Sequence, residues 1–185
     1  TLNINSTEAL GDAAGTLIIN GGTIDNTSGG AITLVNNNAQ TWNSDFTFTG
    51  TNDLNLGTGA VTLGANVTVT SGTNPQTLTV GGAIGDGGNS RTLTKDGPGL
   101  LALTGNNTYD GVTTVNGGTL KLSGDNSGAS GGVTMTAGEL DINSATALGT
   151  GTLTLNGGTI DNSSAGALKV TTNNAQSWGD NVIFK

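Results

Sequence analysis

Three segments of this chain, TTVNGGTLKL at 113–122, VTMTAGELDI at 133–142 and LTLNGGTIDN at 153–162, align without a gap at one fixed spacing. LTKDGPGLLAL at 93–103 joins the series with one residue inserted at its Gly97-Pro98-Gly99 corner. Within each segment apolar residues alternate with Thr, Lys or other polar residues, the pattern of a strand with one buried face. Gly and Asn separate the runs, as at Asn116-Gly117-Gly118, and both tolerate the positive φ of a tight corner. A unit this short cannot bury its own apolar face, so successive copies must stack and share a core. The period predicts an all-β solenoid of about 20 residues per coil, each coil held by the coils on either side.

A second repeat runs over a longer distance. Leu2-Asn3-Ile4-Asn5-Ser6 recurs as Leu140-Asp141-Ile142-Asn143-Ser144, Asn20-Gly21-Gly22-Thr23-Ile24-Asp25-Asn26 as 156–162, and Asn37-Asn38-Ala39-Gln40-Thr41-Trp42 as 173–178 with Ser177 for Thr41. Phe48 returns as Phe184, so 1–48 is repeated as 139–184 at an offset of 136 to 138 in the numbering. Residues 1–185 read as a single solenoid, a window on a tandem array.

Composition narrows the function classes. Gly, Thr and Asn (33, 33 and 23) make up 89 of the 185 residues, which suits corners and exposed strand faces and disfavours helices. With 33% hydrophobic and 3% aromatic residues only a narrow core can be filled, so the body is thin and elongated. Thirteen acids against five bases give a net charge of −8, and no Lys/Arg cluster exists to track phosphates, so nucleic acid is not expected as a partner. The acids read as scattered solvating groups. There is no Cys, hence no disulfide or thiolate site, and no His. No apolar run approaches the roughly 18 residues that span a bilayer, and the first residues, TLNINSTEAL, lack the charged start and apolar stretch of a signal peptide. No membrane insertion of this segment is expected.

Along the chain, Leu2, Ile4, Leu10, Leu17, Ile19 and Ile24 are expected to point inward, and Pro75 and Pro98 to lie in corners. Asn36-Asn37-Asn38 suggests a ladder of stacked amides. Trp42 and Phe46, matched by Trp178 and Val182 in the second copy, read as core packing, with carbohydrate stacking on an exposed ring as the alternative. Thr62, Thr68, Thr70, Thr77 and Thr79 fall on the outward face, without a Thr-x-Thr pair recurring once per coil as an ice-binding face would require. The loop Gly81–Asn89 resembles a calcium-binding nonapeptide turn only faintly, since it occurs once and out of register. The segment 123–132, with DNSGASGG, reads as a protruding turn.

The stretch LTKDGPGLLALTGNNTYDGVTTVNGGTLKL at 93–122 closely resembles the autotransporter-associated β-strand repeat. Its pattern is met at Leu93, Lys95, Gly97, Gly99, Leu101, Leu103, Gly105, Asn107, Thr108, Tyr109, Gly111, Thr113, Val115 and Gly117-Gly118-Thr119-Leu120, with Leu100, Asp110 and Val112 as departures. The resemblance implies a right-handed parallel β-helix on, or secreted from, a Gram-negative cell surface. It is a scaffold element and brings no catalytic residues.

The expectation is therefore a structural, non-catalytic extracellular rod, acting as a stalk or adhesion scaffold or as a filament-forming unit by end-to-end stacking, with self-association along its axis. Contact with a host surface or a glycan is the further expectation. No catalytic, cofactor-binding or metal-ligating residue is nominated, and no cofactor. The alternatives are a polysaccharide-binding module or a polysaccharide-degrading β-helix. The latter would require acids such as Asp25 and Asp161, equivalent in the repeat, to gather with Arg91 or Lys95 in a groove.

Overall fold

The computed structural model describes residues 1–72 and 75–185. Its described residues contain no helix, and their strands, of two to five residues, form three parallel sheets of nine, eight and four strands. In the nine-stranded sheet, Leu2–Asn3, Thr23–Asp25, Phe46–Phe48, Val67–Ser71 and Leu93–Asp96 follow one another in chain order, each hydrogen-bonded to the strand one turn later. The molecule is a β-solenoid of about eight turns. At roughly 4.8 Å per turn it is a column about 40 Å long.

Turn length varies along the stack, and the register of the nine-stranded sheet measures it. The shortest turns are those in which Leu93 pairs with Thr113, Thr113 with Val133 and Val133 with Leu153. Earlier turns are longer, since Leu2 pairs with Ile24, Phe46 with Val69, Ile24 with Phe48 and Val67 with Leu93. Over the whole column successive turns lie about 22 residues apart, close to the period of the clearest repeats. The third side causes the difference. There the four-stranded sheet, Thr16–Ile19, Ala39–Trp42, Val61–Leu63 and Ile84–Gly85, ends at Gly85. Beyond it, from Leu93 to Leu153, loops close that side with fewer residues, and only the last turn, in which Leu153 pairs with Gln176, is longer again.

One core runs the length of the stack, from Ile4 to Leu155. Trp42 is fully buried and meets Phe46 edge-on, with ring centroids 5.0 Å apart. Leu2 was expected inward but is 44% exposed, because its strand lies in the first turn. Outside, Thr68, Thr94, Thr114, Thr134, Thr154 and Ser177 stand in one column of the nine-stranded sheet. Thr94, Thr114, Thr134 and Thr154 keep the regular spacing of the repeated segments, and only Thr68 and Ser177 join the rank across longer turns. It consists of single residues, the neighbouring column carrying Thr70, Asp96, Asn116 and Thr136.

Candidate functional site

The distinctive residues of the 93–122 stretch all have structural partners. Lys95 stands in an inward column between Val69 and Val115, where an aliphatic side chain is the rule. It is fully buried, and its ammonium donates to the carbonyls of Asp96 (2.8 Å), Gly97 (2.7 Å) and, one turn on, Gly117 (3.0 Å). Three donors meet three acceptors. Burial lowers its pKa to about 8, with the Asp96 carboxylate pulling the other way.

On the side where the four-stranded sheet has ended, amide side chains continue its hydrogen bonding. The Asn107 Oδ1 accepts from the Ile84 N–H (3.0 Å), Asn126 Oδ1 accepts both the backbone and side-chain N–H of Asn107 (3.0 Å each), and Asn126 Nδ2 donates to the Ala147 carbonyl (2.7 Å). The amide ladder therefore lies at Asn107 and Asn126, not at Asn36–Asn38. Asn36 and Asn38 instead brace the loop below, bonding the carbonyls of Gly11, Asp12 and Gly15. The 123–132 segment is a wall of the column as much as a protrusion, since Asn126 is 4% exposed. Tyr109 is buried beside this ladder with its hydroxyl on Thr113, and burial pushes its pKa up to about 12, the Thr113 hydrogen bond opposing.

Glycine has a role here that sequence reading missed. A Cβ on Gly82 would lie 1.8 Å from the Gly59 carbonyl oxygen, one on Gly105 2.2 Å from that of Gly82, and one on Gly124 1.9 Å from that of Gly105. These glycines form a vertical rank whose backbones touch from turn to turn. The signal in the sequence was their recurrence at positions 59, 82, 105 and 124, each close to one turn after the last.

The acids are likewise committed to the backbone. Asp25 accepts the Thr51 N–H (2.9 Å) on Oδ1 and the Thr51 hydroxyl (2.6 Å) on Oδ2, and Asp141 holds Ser163 the same way at 2.9 and 2.6 Å. Asp45 and Asp53 cap the N–H groups of Thr68 and Thr77 one turn above, at 2.6 and 2.7 Å. Burial pushes the Asp25 and Asp141 carboxyls up, but these hydrogen bonds, with Lys121 beside Asp141, outweigh it and hold both below the usual carboxylate range. Asp86, in the loop considered for calcium, turns its oxygens to the N–H groups of Arg91 (2.8 Å), Gly88 (3.1 Å) and Asp110 (3.3 Å). No group of three or more His, Cys, Asp and Glu among the described residues is arranged to hold a metal.

Asp25 and Asp161 lie in different sheets, and neither joins Arg91 or Lys95 in a groove. The one constellation with a catalytic outline among the described residues is Lys121, Asp141 and Ser163, where the Ser163 hydroxyl accepts from Lys121 (2.8 Å) and donates to Asp141 (2.6 Å). A carboxylate held below its ordinary pKa is a poor base for a serine. The set is part of a charged flank in which Lys121 also faces Asp141 at 3.5 Å and Lys185 pairs with Glu139.

The remaining feature is the far end of the stack, an open apolar recess of about 450 Å3 walled by Leu155, Ile160, Leu168, Val170, Trp178 and Phe184. Trp178, expected in the core like Trp42, is 55% exposed, and Phe184 is 61% exposed. The reason is that no turn lies over the last strands, Gln176–Trp178 and Ile183–Phe184.

The comparisons agree with this geometry. The family model of the passenger-associated-transport-repeat matches residues 93–122 and again 117–142, the segment in which Lys95, Asn107, Asn126 and the glycines 105 and 124 join one turn to the next. Residues 93–142 are therefore passenger-associated-transport repeats of the autotransporter kind. An autotransporter adhesin, BmaC, of Brucella suis biovar 1 (strain 1330) is 32% identical to the passenger-repeat chain over 125 residues, 66% of this chain and 3% of the adhesin. The chain thus spans a small part of that relative's length. No solved structure matches it. No helix among the described residues of the passenger-repeat chain is long and apolar enough to cross a membrane.

Proposed function

We propose that this passenger-repeat chain is a non-catalytic structural rod, extracellular or at the Gram-negative outer-membrane surface, that serves as an adhesion scaffold and associates with itself along its axis. The observation that carries this reading is that the polar signature of the repeat, Lys95, Asn107 and the stacked glycines, is engaged in holding one turn on the next. What such a repeat adds with each copy is length and lateral surface. Its mechanism is geometric: a stiff column carries adhesive surface away from the cell, and columns associate with one another along their common axis.

A glycan-binding reading is favoured by one feature, the exposed Trp178 ring beside Gln176 and Asn174. One set of measurements on the purified chain separates the readings. Sedimentation velocity over a range of concentrations is expected to show an elongated particle that associates, and incubation with acidic glycans is expected to release no reducing ends. Product release would overturn the non-catalytic reading, and a strict monomer at high concentration would remove self-association. Oligosaccharide-dependent changes in Trp178 emission would move the assignment to glycan binding.

A further inference from the structure

Along one flank of the column runs a rank of hydroxyls that the molecule itself does not use. Thr68, Thr94, Thr114, Thr134 and Thr154 stack in parallel register on the outward side of the nine-stranded sheet, each half-exposed. Each has a turn on both sides, since Asp45 lies below Thr68 and Ser177 above Thr154, so the rank owes nothing to the ends of the stack. Elsewhere such hydroxyls are tied to a neighbouring turn, Thr51 to Asp25, Thr136 to Asn116 and Ser163 to Asp141. Among the described residues, none bonds to the hydroxyls of these five.

Three properties narrow what this face can hold. The rank carries no charge in a chain of net charge −8, which selects a neutral partner. Neither the rank nor the column beside it carries an aromatic ring on which a sugar could stack. The third property is spacing. The hydroxyls recur at roughly 4.8 Å, the distance between paired strands. In tetrahedral water, two molecules bonded to a common neighbour at about 2.75 Å lie about 4.5 Å apart. The mismatch is about 0.3 Å per turn and roughly 1.2 Å over the four steps, which small χ1 rotations absorb. The Thr-x-Thr pair sought in every coil is met at Thr68 with Thr70 and at Thr134 with Thr136. At the turns between, Asp96 and Asn116 fill the second column, and their Oδ1 atoms are drawn down onto the chain by the Gly97 N–H (2.7 Å) and the Thr136 hydroxyl (2.8 Å).

We infer that this face binds ice. The five hydroxyls take the places of water molecules in the outermost layer of the lattice, donating to and accepting from the layer beneath. Threonine suits the task because its branched Cβ leaves few χ1 positions and the copies above and below hold the side chain, so little freedom is lost on contact. The inference rests on the reading of the chain as an adhesion scaffold and names what the side of the column adheres to. It does not depend on association along the axis.

The test partitions the full chain between growing polycrystalline ice and the remaining liquid, with an unrelated protein as bystander, and watches the habit of single ice crystals. The chain is expected to be enriched in the ice several-fold over the bystander and to facet the crystals. Thr114→Lys with Thr134→Lys, and separately Thr94→Lys with Thr154→Lys, are expected to fall to the bystander's level while melting close to the parent. Thr41→Lys with Thr62→Lys, outward in the four-stranded sheet, makes the same change of charge on another side and is expected to keep the enrichment. Exclusion of the parent chain from ice overturns the inference, and so does enrichment that survives in a folded rank variant or is lost equally in the control pair. Exclusion from ice together with retention on an insoluble neutral β-glucan would assign the rank to a polysaccharide instead. Sedimentation velocity reads axial association separately, so either reading can fail alone.

Discussion

The Nζ of Lys95 donates to the main-chain carbonyl of Gly117, 3.0 Å away and one turn further along the column. With the carbonyls of Asp96 and Gly97 it fills a site that no apolar side chain can satisfy. Lys95→Met keeps the length of the side chain but withdraws three charge-assisted donors, and is expected to cost about 2–4 kcal/mol. The check is the urea midpoint of unfolding, followed by circular dichroism. Lys95→Ala, which also leaves a void in the core, is expected to cost more.

The same residue gives stability an alkaline pH dependence. Burial brings its pKa from 10.5 to about 8, against the pull of Asp96. Between those values the unfolded chain holds a proton that the folded chain has released, so the Lys95 contribution to stability rises with pH across that window. The difference in unfolding midpoint between wild type and Lys95→Met is expected to widen from pH 8 to pH 10.

At the acid end the dependence runs through Asp25 and Asp141. Burial works against their ionisation, but the hydrogen bonds from Thr51 and Ser163 lower their folded pKa below the unfolded value. Their contribution is fully present above the unfolded carboxylate pKa and disappears as pH falls through the folded one. The double substitution Asp25→Ala with Asp141→Ala is expected to lower the melting temperature at pH 7 and to flatten its fall between pH 5 and pH 2. Equal acid sensitivity in wild type and the double variant would contradict the assignment.

Asn126→Ala removes the acceptor for two N–H groups of Asn107 and the donor to Ala147. A loss of about 2–3 kcal/mol is expected, with faster hydrogen exchange at the backbone amide of Asn107. The Ile84 amide keeps its bond to Asn107 Oδ1 and is expected to be affected less.

Gly105→Ala places a methyl group 2.2 Å from the Gly82 carbonyl oxygen, a backbone atom that can move only if two turns separate. The expected cost is above about 3 kcal/mol, as for severe overpacking. Gly30→Ala and Gly166→Ala, with nothing within 4 Å of the new Cβ, are expected to change stability by less than about 0.5 kcal/mol. Thermal melts of the three variants decide this.

The sequence was most legible where turns are identical in length. The regular spacing over 113–162 placed the strands Thr113–Val115, Val133–Met135 and Leu153–Leu155 in one sheet. It was least legible where a third strand lengthens the turn, as between Val67 and Leu93, because no single period then carries one strand onto the next. Alternation marks which side chains face inward, but not what a polar one does there: Lys95 in an inward column reads as an exception until the carbonyls around it are seen. Nor does repetition reveal exposure. Trp42 and Trp178 share a sequence context, and burial differs because one has a turn above it and the other does not.

Those two tryptophans also lie in different sheets, Trp42 in the four-stranded and Trp178 in the nine-stranded one. So do Asp25 and Asp161, and Phe48 and Phe184. Over one long repeat the winding therefore misses a whole number of turns by one side of a three-sided prism. Groups that recur with that repeat look out in another compass direction each time, so a surface meeting this rod broadside encounters a different outline at each height, and contact made by one copy leaves its twin free to grip something else.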